Sequence, residues 1–344
     1  MPSSSQPRPA LSLRLLALAA RRLGMSFELL DSDCRLLAEI RCGERRCLAH
    51  ASLLPLNDSL AARLANDKHY TSLLLQRAAL RSPETVRCLD PDLPPEEAFG
   101  VASGPRNALG MAERIGYPLV VKPNRLWGGR LVRLTGSEQE LEESLRAVWR
   151  WDPIAVVQPF VTGADYRLDF LDGEYLAGYI RRPLELIGDG RSTIRRLAQQ
   201  QDVRFADRQF WARARRFPEW HHSLAPQGWT EESVLPAQRR LLLGQDVLNL
   251  NRFALADALF EVPSPWIELG RTIAEVMGLR HFGVDLKAES LQADPKQAVI
   301  LEVNAAPALV QLYRMGHREE VIQACMKLLR AVFEGGGPPK STKG

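Results

Sequence analysis

Residues 299–307 read V-I-L-E-V-N-A-A-P and form the most informative stretch of the sequence. Their apolar side chains predict a buried β-strand, yet the strand contains Glu302 and ends near Asn304. Residues two apart in a strand project from the same face, so both polar side chains should point to one side of a sheet. The stretch therefore predicts a polar site on a buried strand.

A second carboxylate lies in an apolar run upstream, where residues 282–286 read F-G-V-D-L. If the two strands pair, Asp285 can face Glu302 and Asn304. Neither run contains a cationic side chain, so burial of the carboxylates would be costly unless a cation binds there. Oxygen ligands select a hard ion, and Mg²⁺ usually takes one or two carboxylates with phosphate oxygens. We predict a metal site for Mg²⁺, with Mn²⁺ as an alternative; the competing interpretation is a solvated strand end with an asparagine turn.

Two lysines are candidates for phosphate contacts. Lys122 ends an apolar run before a loop that contains Gly128 and Gly129, and a point charge beside flexible backbone N–H groups can hold phosphates. Lys68 lies at the front of a predicted helix, where its charge works against the helix dipole. Taken alone, neither lysine is a strong signal. A lysine at a strand end, such as Lys122, is more often simply solvated, and the misfit of Lys68 with the helix dipole is mild.

Hydrophobic periodicity and turn signals predict the surrounding elements. Asp172-Gly173 predicts a hairpin, and Ser137 with Glu140 predicts a capped helix. The helix over 66–80 is predicted to place Leu73, Leu74 and Ala78 on one face. Helices are predicted at 11–23, 66–80, 138–149, 264–278 and 319–333, and strands at 27–30, 36–40, 117–123, 131–134, 155–160, 165–171, 174–180, 281–287 and 298–303. This pattern favours an α+β fold with mostly antiparallel sheets.

Composition narrows the functional classes. The 344 residues are enough for two or three subdomains, and the net charge of +4, with scattered arginines, argues against a nucleic-acid partner. Five cysteines without a C-x-x-C pair favour a reducing cytoplasm. No apolar run reaches roughly 18 residues, so we expect no membrane span. The run 11–20, interrupted by Arg14, is interpreted as an amphipathic helix, and residues 1–8 are expected to be disordered.

Further motifs lie along the chain in a fixed order. They are Asp67-Lys68 with Leu73-Leu74, then G-Y-P-L-V-V-K-P at 116–123, Q-P-F-V-T-G-A-D-Y-R at 158–167, G-V-D at 283–285 and E-V-N at 302–304. This order resembles that of ATP-grasp ligases. The segment R-R-P at 181–183, followed by I-G-D-G-R-S-T-I at 187–194, is most similar to the ATP-grasp part of cyanophycin synthetases. Glutathione synthetase-like and ribosomal-protein glutamate ligases are more distant, and the resemblance covers roughly residues 60–330.

The resemblance implies an α+β ATP-grasp fold, in which two subdomains with mainly antiparallel sheets grip ATP, preceded by a small α/β N-terminal lobe. We expect the lobe at 1–65, the small subdomain at 66–160, the large subdomain at 161–334 and a disordered tail at 335–344. It also implies an ATP-dependent ligase that activates a carboxylate as an acyl phosphate and joins it to an amine. ADP and phosphate would be released, with ATP and Mg²⁺ as cofactors.

The resemblance further implies roles for matched positions. Lys68, Lys122 and the loop with Gly128 and Gly129 would contact ATP phosphates. The linker Gln158, Pro159, Phe160 and Val161 would bind adenine through its backbone, and Asp165 would lie at the ribose. Asp285, Glu302 and Asn304 would hold the metal ions. The catalytic candidates are Arg167, Arg181 and Arg252.

Arg167 and Arg181 are predicted near the same end of the hairpin. Two guanidiniums there would repel each other unless an anion lay between them, and their planar forks match phosphate and carboxylate oxygens. The alternative is that one arginine merely pairs with Asp165 or Glu185.

The sequence also departs from the family pattern. Gln158 replaces a usual glutamate, and the segment 249–254 lacks a glycine pair found in relatives. The upstream arginine position is Gln245, so Arg252 could substitute or the acceptor site could be remodelled. A C-terminal Mur-type ligase domain is absent, so polymerisation of cyanophycin is not implied.

Two interpretations remain open. The first is an active ligase for small amino acid or peptide substrates, with neither nucleic acid nor membrane as partner and a homodimer left open. The second is a catalytically degenerate ATP-grasp module that binds nucleotide or a partner. Gln158 and the missing glycines favour the second, whereas Lys122, Arg167 and the three metal-ligand candidates favour the first.

Overall fold

The computed structural model describes residues 9–94, 96, 103–126, 129–216, 218–243 and 253–334. Its helices are α1 (Leu11–Arg22), α2 (Ser59–Ala65), α3 (Lys68–Arg77), α4 (Arg106–Ile115), α5 (Glu138–Trp149), α6 (Ile194–Gln201), α7 (Arg208–Ala214), α8 (Pro218–Ser223), α9 (Ser264–Met277), α10 (Val310–Arg314) and α11 (Arg318–Glu334). Its strands are β1 (Ser26–Leu29), β2 (Leu37–Cys42), β3 (Arg45–His50), β4 (Val86–Leu89), β5 (Leu119–Pro123), β6 (Arg133–Thr135), β7 (Ile154–Pro159), β8 (Ala164–Leu171), β9 (Glu174–Arg182), β10 (Leu184–Ile187), β11 (Arg240–Leu243), β12 (Leu255–Leu259), β13 (His281–Ala288) and β14 (Val299–Asn304). The predictions for residues 1–8, Gly128, Gln245, Arg252 and the tail 335–344 fall outside the described residues.

By its packing the chain divides into two compact units. The first unit comprises Met1–Pro83, Tyr166–Tyr179 and Ala258–Gly344, and the second comprises Glu84–Asp165 and Ile180–Asp257. The division expected from the sequence, at 65/66 and 160/161, is a different partition into continuous segments and stays a prediction. Segments distant in sequence build each unit, so local composition alone does not mark these boundaries.

The sheet that carries Asp285 and Glu302 has the strand order β12–β9–β8–β13–β14. Strand alternation separates its side chains onto two faces. On the apolar face, the rings of Phe170 and Phe282 stack with centroids 5.3 Å apart. Helix α9 covers this face, with Gly270 against the Phe170 ring. The odd-numbered residues of β8 and β13 therefore project from the opposite face.

The residues of the predicted N-terminal lobe, 1–65, form α1, the antiparallel sheet β1–β2–β3 and α2. These elements do not form a complete hydrophobic core by themselves. Leu13, Leu16 and Ile40 share one buried cluster with Leu328 and Leu329 of α11. The last helix of the described chain thus completes the core of the first residues.

The second unit contains a sheet of order β4–β7–β5–β6, whose neighbouring strands pair antiparallel. Helices α4 and α5 pack on one face of it. Met111 and Leu145 of these helices share a buried cluster with Leu119, Val121 and Val157. The even-numbered residues of β5 and β7 project from the other face.

A separate core in the same unit lies around β10, β11, α6 and α7. Trp211 is 1% exposed, and its ring contacts those of Phe205 and Phe253. The sequence of this region, residues 200–245, shows weak periodicity. The helices of this region are short; α7, for example, has seven residues. Buried aromatic residues therefore cannot recur over several helical turns, and no periodic pattern forms in the sequence.

The hairpin and the α5 cap are confirmed. Asp172 and Gly173 have φ values of +51° and +79°, as a two-residue hairpin turn requires. Ser137 Oγ accepts a hydrogen bond from the Glu140 N–H at 3.3 Å. The Glu140 carboxylate, however, accepts from the Gly136 N–H at 2.7 Å rather than from Ser137.

The face predicted to carry Leu73, Leu74 and Ala78 is not the buried face of α3. Leu73 is 43% exposed, whereas Thr71, Ser72 and Leu75 are buried. The buried hydroxyl of Ser72 donates to the Pro83 carbonyl at 2.9 Å, so hydrogen bonding rather than hydrophobicity selects this face. Periodicity of apolar residues cannot reveal such a face.

The five cysteines of the chain are free thiols. Burial raises the pKa of the Cys47 and Cys88 thiols to about 11, so both behave as unreactive packing residues. None of the described helices has the length and hydropathy needed to cross a lipid bilayer.

We expect Gly270→Ala to lower the free energy of unfolding by about 1–3 kcal/mol, because an added Cβ would overlap the Phe170 ring. Gly110→Ala, in the interior of α4, is the matched control, since its added Cβ meets nothing within 4 Å. This control should gain about 0.5–1 kcal/mol from helix propensity. Urea unfolding of both variants measures the difference. Parent-like stability of Gly270→Ala would show that α9 does not pack closely on this face.

Candidate active site

The three predicted metal ligands lie on paired ends of two strands. β13 and β14 pair antiparallel with Asp285 opposite Glu302 and Gly283 opposite Asn304. Residues opposite each other in such a pair share a face, so the expected common face is confirmed. Asn304 Nδ2 donates to Asp285 Oδ2 at 3.1 Å.

A single asparagine fixes the adjoining ends of these two strands. Asn57 Nδ2 donates to the carbonyls of His281 and Ala305, at 2.6 and 2.7 Å. Its Oδ1 accepts from the backbone N–H groups of Arg280 and His281, at 2.8 and 2.9 Å. The sequence gives no signal for this role, because Asn57 lies in a loop more than 200 residues from its partners.

Arg167 of β8 lies between two buried aspartates. Its Nε donates to Asp169 Oδ1 at 2.6 Å, and its Nη1 donates to Asp285 Oδ2 at 2.8 Å. Burial alone lowers the pKa of Arg167, but Asp285 and Asp169 more than offset this and raise it above its usual value. The guanidinium is therefore held in its charged form.

Sequence reasoning missed Asp169. The residue follows Arg167 by two positions in R-L-D-F, so both side chains project from one face of β8. An aspartate between Leu168 and Phe170, both buried, was the signal available, because a buried carboxylate needs a partner.

Gly283 provides the space for this network. A Cβ at residue 283 would overlap the Asp169 carboxylate and the Arg167 guanidinium. Glycine thus lets β8 and β13 bring the ion pairs together over the backbone of β13.

Lys68 is the second cation of the cluster. Its side chain is 8% exposed, and its Nζ lies 3.7 Å from Glu302 Oε1. Asp67 caps α3 by accepting the Tyr70 N–H at 3.0 Å, which places Lys68 at the first helical position.

These cations correct one step of the sequence argument. Neither strand run contains a cationic residue, but Arg167 and Lys68 approach Asp285 and Glu302 from other elements. A bound metal is therefore not needed to compensate the buried carboxylates. The metal site therefore stays a prediction. It is supported by the oxygen ligands that Asp285, Glu302 and Asn304 could offer to a metal ion.

That chemistry fits magnesium bound together with nucleotide. Asp285 and Glu302 supply carboxylate oxygens, and Asn304 keeps an amide oxygen after its Nδ2 binds Asp285. Within the described residues, no group of three or more His, Cys, Asp or Glu side chains could hold a metal by itself. Mg²⁺ commonly takes one or two carboxylates and completes its shell with phosphate oxygens and water, as this incomplete set would require.

In the second unit, Lys122 and Gln158 share one sheet face. β5 and β7 pair with Lys122 opposite Val156 and Val120 opposite Gln158, so all four project from the same side. Lys122 is 8% exposed and Gln158 is 3% exposed. This face is opposite to the one covered by α4 and α5.

Asp152 anchors the loop that follows Lys122. Its Oδ2 accepts the Arg125 N–H at 2.8 Å and its Oδ1 accepts the Ile154 N–H at 3.0 Å. The Asn124 N–H donates to the Ile154 carbonyl at 3.0 Å. Gly129, the described member of the glycine pair, has a φ of +68°.

The predicted adenine linker follows β7. Gln158 Nε2 donates to Thr85 Oγ1 at 2.6 Å, a bond that the glutamate usual at this position could not donate. The Phe160 N–H donates to the Pro118 carbonyl at 3.3 Å. Among the described residues, the Val161 N–H forms no backbone hydrogen bond, so a backbone donor remains on this segment.

Arg181 pairs with Asp165 at 2.5 Å; the Asp165 side chain is buried and the Arg181 side chain is 13% exposed. This is the alternative that the sequence left open for one of the two arginines. The proposed ribose contact and the proposed carboxylate contact therefore share an ion pair, and both stay predictions.

His281 lies on the same face of β13 as Gly283 and Asp285. It is 2% exposed, and among the described residues its buried Nε2 has no hydrogen-bond partner. Burial, together with the charge of Arg167, lowers the pKa of His281 to about 3. The imidazole is therefore neutral near pH 7.

Comparison with known proteins identifies the fold. No protein-family model matches the sequence. Cyanophycin synthetase of Trichormus variabilis is 27% identical over 285 residues, which cover 80% of this chain and 30% of that protein. The glutathione biosynthesis bifunctional protein GshAB of Desulfotalea psychrophila is 22% identical over 309 residues, covering 87% of this chain and 38% of that protein.

A solved structure agrees with these sequence relatives. The crystal structure of a bifunctional glutathione synthetase from Pasteurella multocida matches with a TM-score of 0.58 and 18% identity, covering 94% of this chain and 43% of that chain. The α+β ATP-grasp fold is confirmed, as is the resemblance to ATP-grasp ligases of the cyanophycin synthetase and glutathione synthetase type.

The relatives are named for the synthesis of cyanophycin and for glutathione biosynthesis. The chain spans only about 30–38% of the length of these curated relatives. Their complete activities and substrates are therefore a matter for proposal.

We expect the free energy of unfolding to fall as the pH drops below about 6.5, partly because His281 must stay neutral in the fold while it protonates when unfolded. With a folded pKa of about 3, its share of the loss at pH 5 is about 2 kcal/mol. His281→Leu should remove that part of the pH slope between pH 7.5 and 5. His50→Gln, which alters an exposed histidine, is the control. Urea unfolding between pH 7.5 and 5 measures this slope. If the free energy of unfolding of His281→Leu falls with pH as it does in the parent, His281 is not buried as a neutral group.

Proposed function

We propose that the chain is an ATP-dependent ligase that activates a carboxylate as an acyl phosphate and joins it to an amine. The observation that carries this proposal is the alignment of Asp285, Glu302 and Asn304 across β13 and β14. A degenerate nucleotide-binding module would have no reason to keep two carboxylates and an amide on one sheet face beside two cations.

The candidate residues of each unit have proposed roles of their own. In the first unit, Asp285, Glu302 and Asn304 would hold magnesium, which would neutralise phosphate charge when bound. Lys68, buried beside Glu302, would contact phosphate oxygens. Arg167, which donates to Asp285 through Nη1, would face the transferred phosphoryl group.

In the second unit, Lys122 and the loop with Gly129 would contact the phosphates. The backbone of residues 158–161 would bind the adenine, with Asp165 at the ribose. Arg181, paired with Asp165, would face the carboxylate to be activated. Arg252 and Gly128 belong to the proposal as well, although both lie outside the described residues.

The chemistry requires positioning and charge neutralisation more than covalent catalysis. An oxygen of the substrate carboxylate attacks the γ-phosphorus of ATP, and the bond from that phosphorus to the bridging oxygen of ADP breaks. The resulting acyl phosphate is attacked at carbon by an amine, which loses a proton as phosphate departs. Arg167 and Arg181 would stabilise the negative charge on the transferred group.

We propose an amino acid or a peptide as the substrate, in keeping with relatives named for cyanophycin and glutathione. The free thiols fit a reducing compartment, and a cytoplasmic location is part of the proposal. Neither nucleic acid nor membrane is expected as a partner, and a homodimer remains open. The degenerate module, favoured by Gln158 and the missing glycine pair, is less well supported.

A working reaction should release ADP and phosphate in equal amounts with product. With amine omitted and hydroxylamine added, the acyl phosphate should be trapped as a hydroxamate. Chromatography of nucleotides and a colour assay for hydroxamate, run over a panel of amino acids and short peptides, measure both. AMP with pyrophosphate would contradict the mechanism, and ATP binding without turnover across the panel would favour the degenerate module.

Glu302→Ala should lower turnover by about 100-fold or more, because a ligand of the metal that stabilises the transition state is removed. The fold should survive, since Glu302 is partly exposed. Glu289→Ala, an exposed glutamate just after β13, is the matched control. Steady-state rates with circular dichroism test this, and parent-like turnover of Glu302→Ala would exclude the proposed metal site.

A further inference from the structure

Asp169 is a buried carboxylate to which the proposed reaction assigns no role. It is 2% exposed, and its neighbours in the sequence, Leu168 and Phe170, are buried on the other face of the sheet. It binds Arg167 Nε at 2.6 Å. A buried carboxylate carries a large desolvation cost, and a buried ion pair is often no more stabilising than apolar residues of the same size. Stability alone therefore does not explain an aspartate here.

The charges of the cluster suggest what Asp169 does. Asp285 and Glu302, the proposed metal ligands, face Arg167 and Lys68 at 2.8 and 3.7 Å. These four groups alone would be electrically neutral, because two carboxylates stand against two protein cations. Asp169 adds a third carboxylate, so the five groups together carry one negative charge. A site for a divalent cation needs that surplus.

The geometry of the cluster means that the extra negative charge of Asp169 benefits Asp285. Asp169 binds Arg167 at Nε, so the guanidinium shares its charge between two carboxylates instead of giving all of it to Asp285. The bond at Nε also fixes the guanidinium plane, which sets the position of Nη1 against Asp285. Gly283 leaves room for both carboxylates, and neutral His281 adds no charge beside them.

We propose that Asp169 is a positioning residue that takes up part of the Arg167 charge and thereby keeps Asp285 available as a metal ligand. Asp169 does not itself touch the metal or the substrate. The inference rests on the proposed function, because it assumes that Asp285 binds the metal.

Asp169→Asn is the first test, since asparagine keeps an oxygen for the Arg167 Nε–H and removes only the charge. The dissociation constant for Mn²⁺, measured by electron paramagnetic resonance with a non-hydrolysable ATP analogue, should rise about 10-fold or more, as is usual when a partner of a metal ligand is lost. Glu174→Gln, which removes a carboxylate from an exposed pair with Arg271 in the same unit, should leave it unchanged.

Arg167→Gln/Asp169→Asn is the decisive second variant, because it removes one positive and one negative charge together. If Asp169 acts through Arg167, this double variant should bind Mn²⁺ within about threefold of the parent, although its turnover should be low. A merely structural role predicts no such recovery. The double variant also serves if the single variant fails to fold.

The outcomes separate this inference from the proposed function. A parent protein that binds no Mn²⁺ with the analogue would overturn the proposed metal site itself. If the parent binds Mn²⁺ and Asp169→Asn binds it equally well, only the proposed role of Asp169 is overturned. A double variant that folds but binds at least 10-fold more weakly than the parent would overturn it too.

Discussion

The buried guanidinium of Arg167, held between Asp169 and Asp285, is the interaction on which the candidate site depends. It joins β8 to β13, and it does so over a residue that must be glycine, because a side chain at position 283 would overlap both partners. Charged groups tolerate such burial only when their geometry is closely fixed. The opposite face of the same sheet supplies that rigidity, through the stacked rings of Phe170 and Phe282 against α9.

The second unit fixes its polar residues by a different means. Lys122 and Gln158 are held on one sheet face by the ladder between β5 and β7, and Asp152 ties the start of the following loop to the strand beside it. Backbone hydrogen bonds of the β5–β7 ladder thus position a buried lysine and a buried amide on one face of the sheet.

The departures from the family pattern have local physical meaning in this fold. Gln158 can donate to Thr85, which a carboxylate at that position could not do. Arg181 is engaged by Asp165, which connects two residues that the resemblance assigns to different substrates. These contacts change the surroundings of Gln158 and Asp165, while Asp285, Glu302 and Asn304 keep the predicted common face of β13 and β14.

The sequence by itself determined most of the longer elements and the shared face of the three candidate metal ligands. Alternation in the strands placed Asp285, Glu302 and Asn304 on one side, and local turn and cap signals placed the hairpin at Asp172 and the start of α5, because these depend on near neighbours in the chain. Only the tertiary structure decided the partners of those residues. Arg167, Lys68 and Asn57 reach β13 and β14 from segments up to about 250 residues away, and the buried face of α3 follows from hydrogen bonds rather than hydrophobicity. Long-range pairing of charges leaves no periodic trace in a sequence, so it becomes visible only when the strands are brought together.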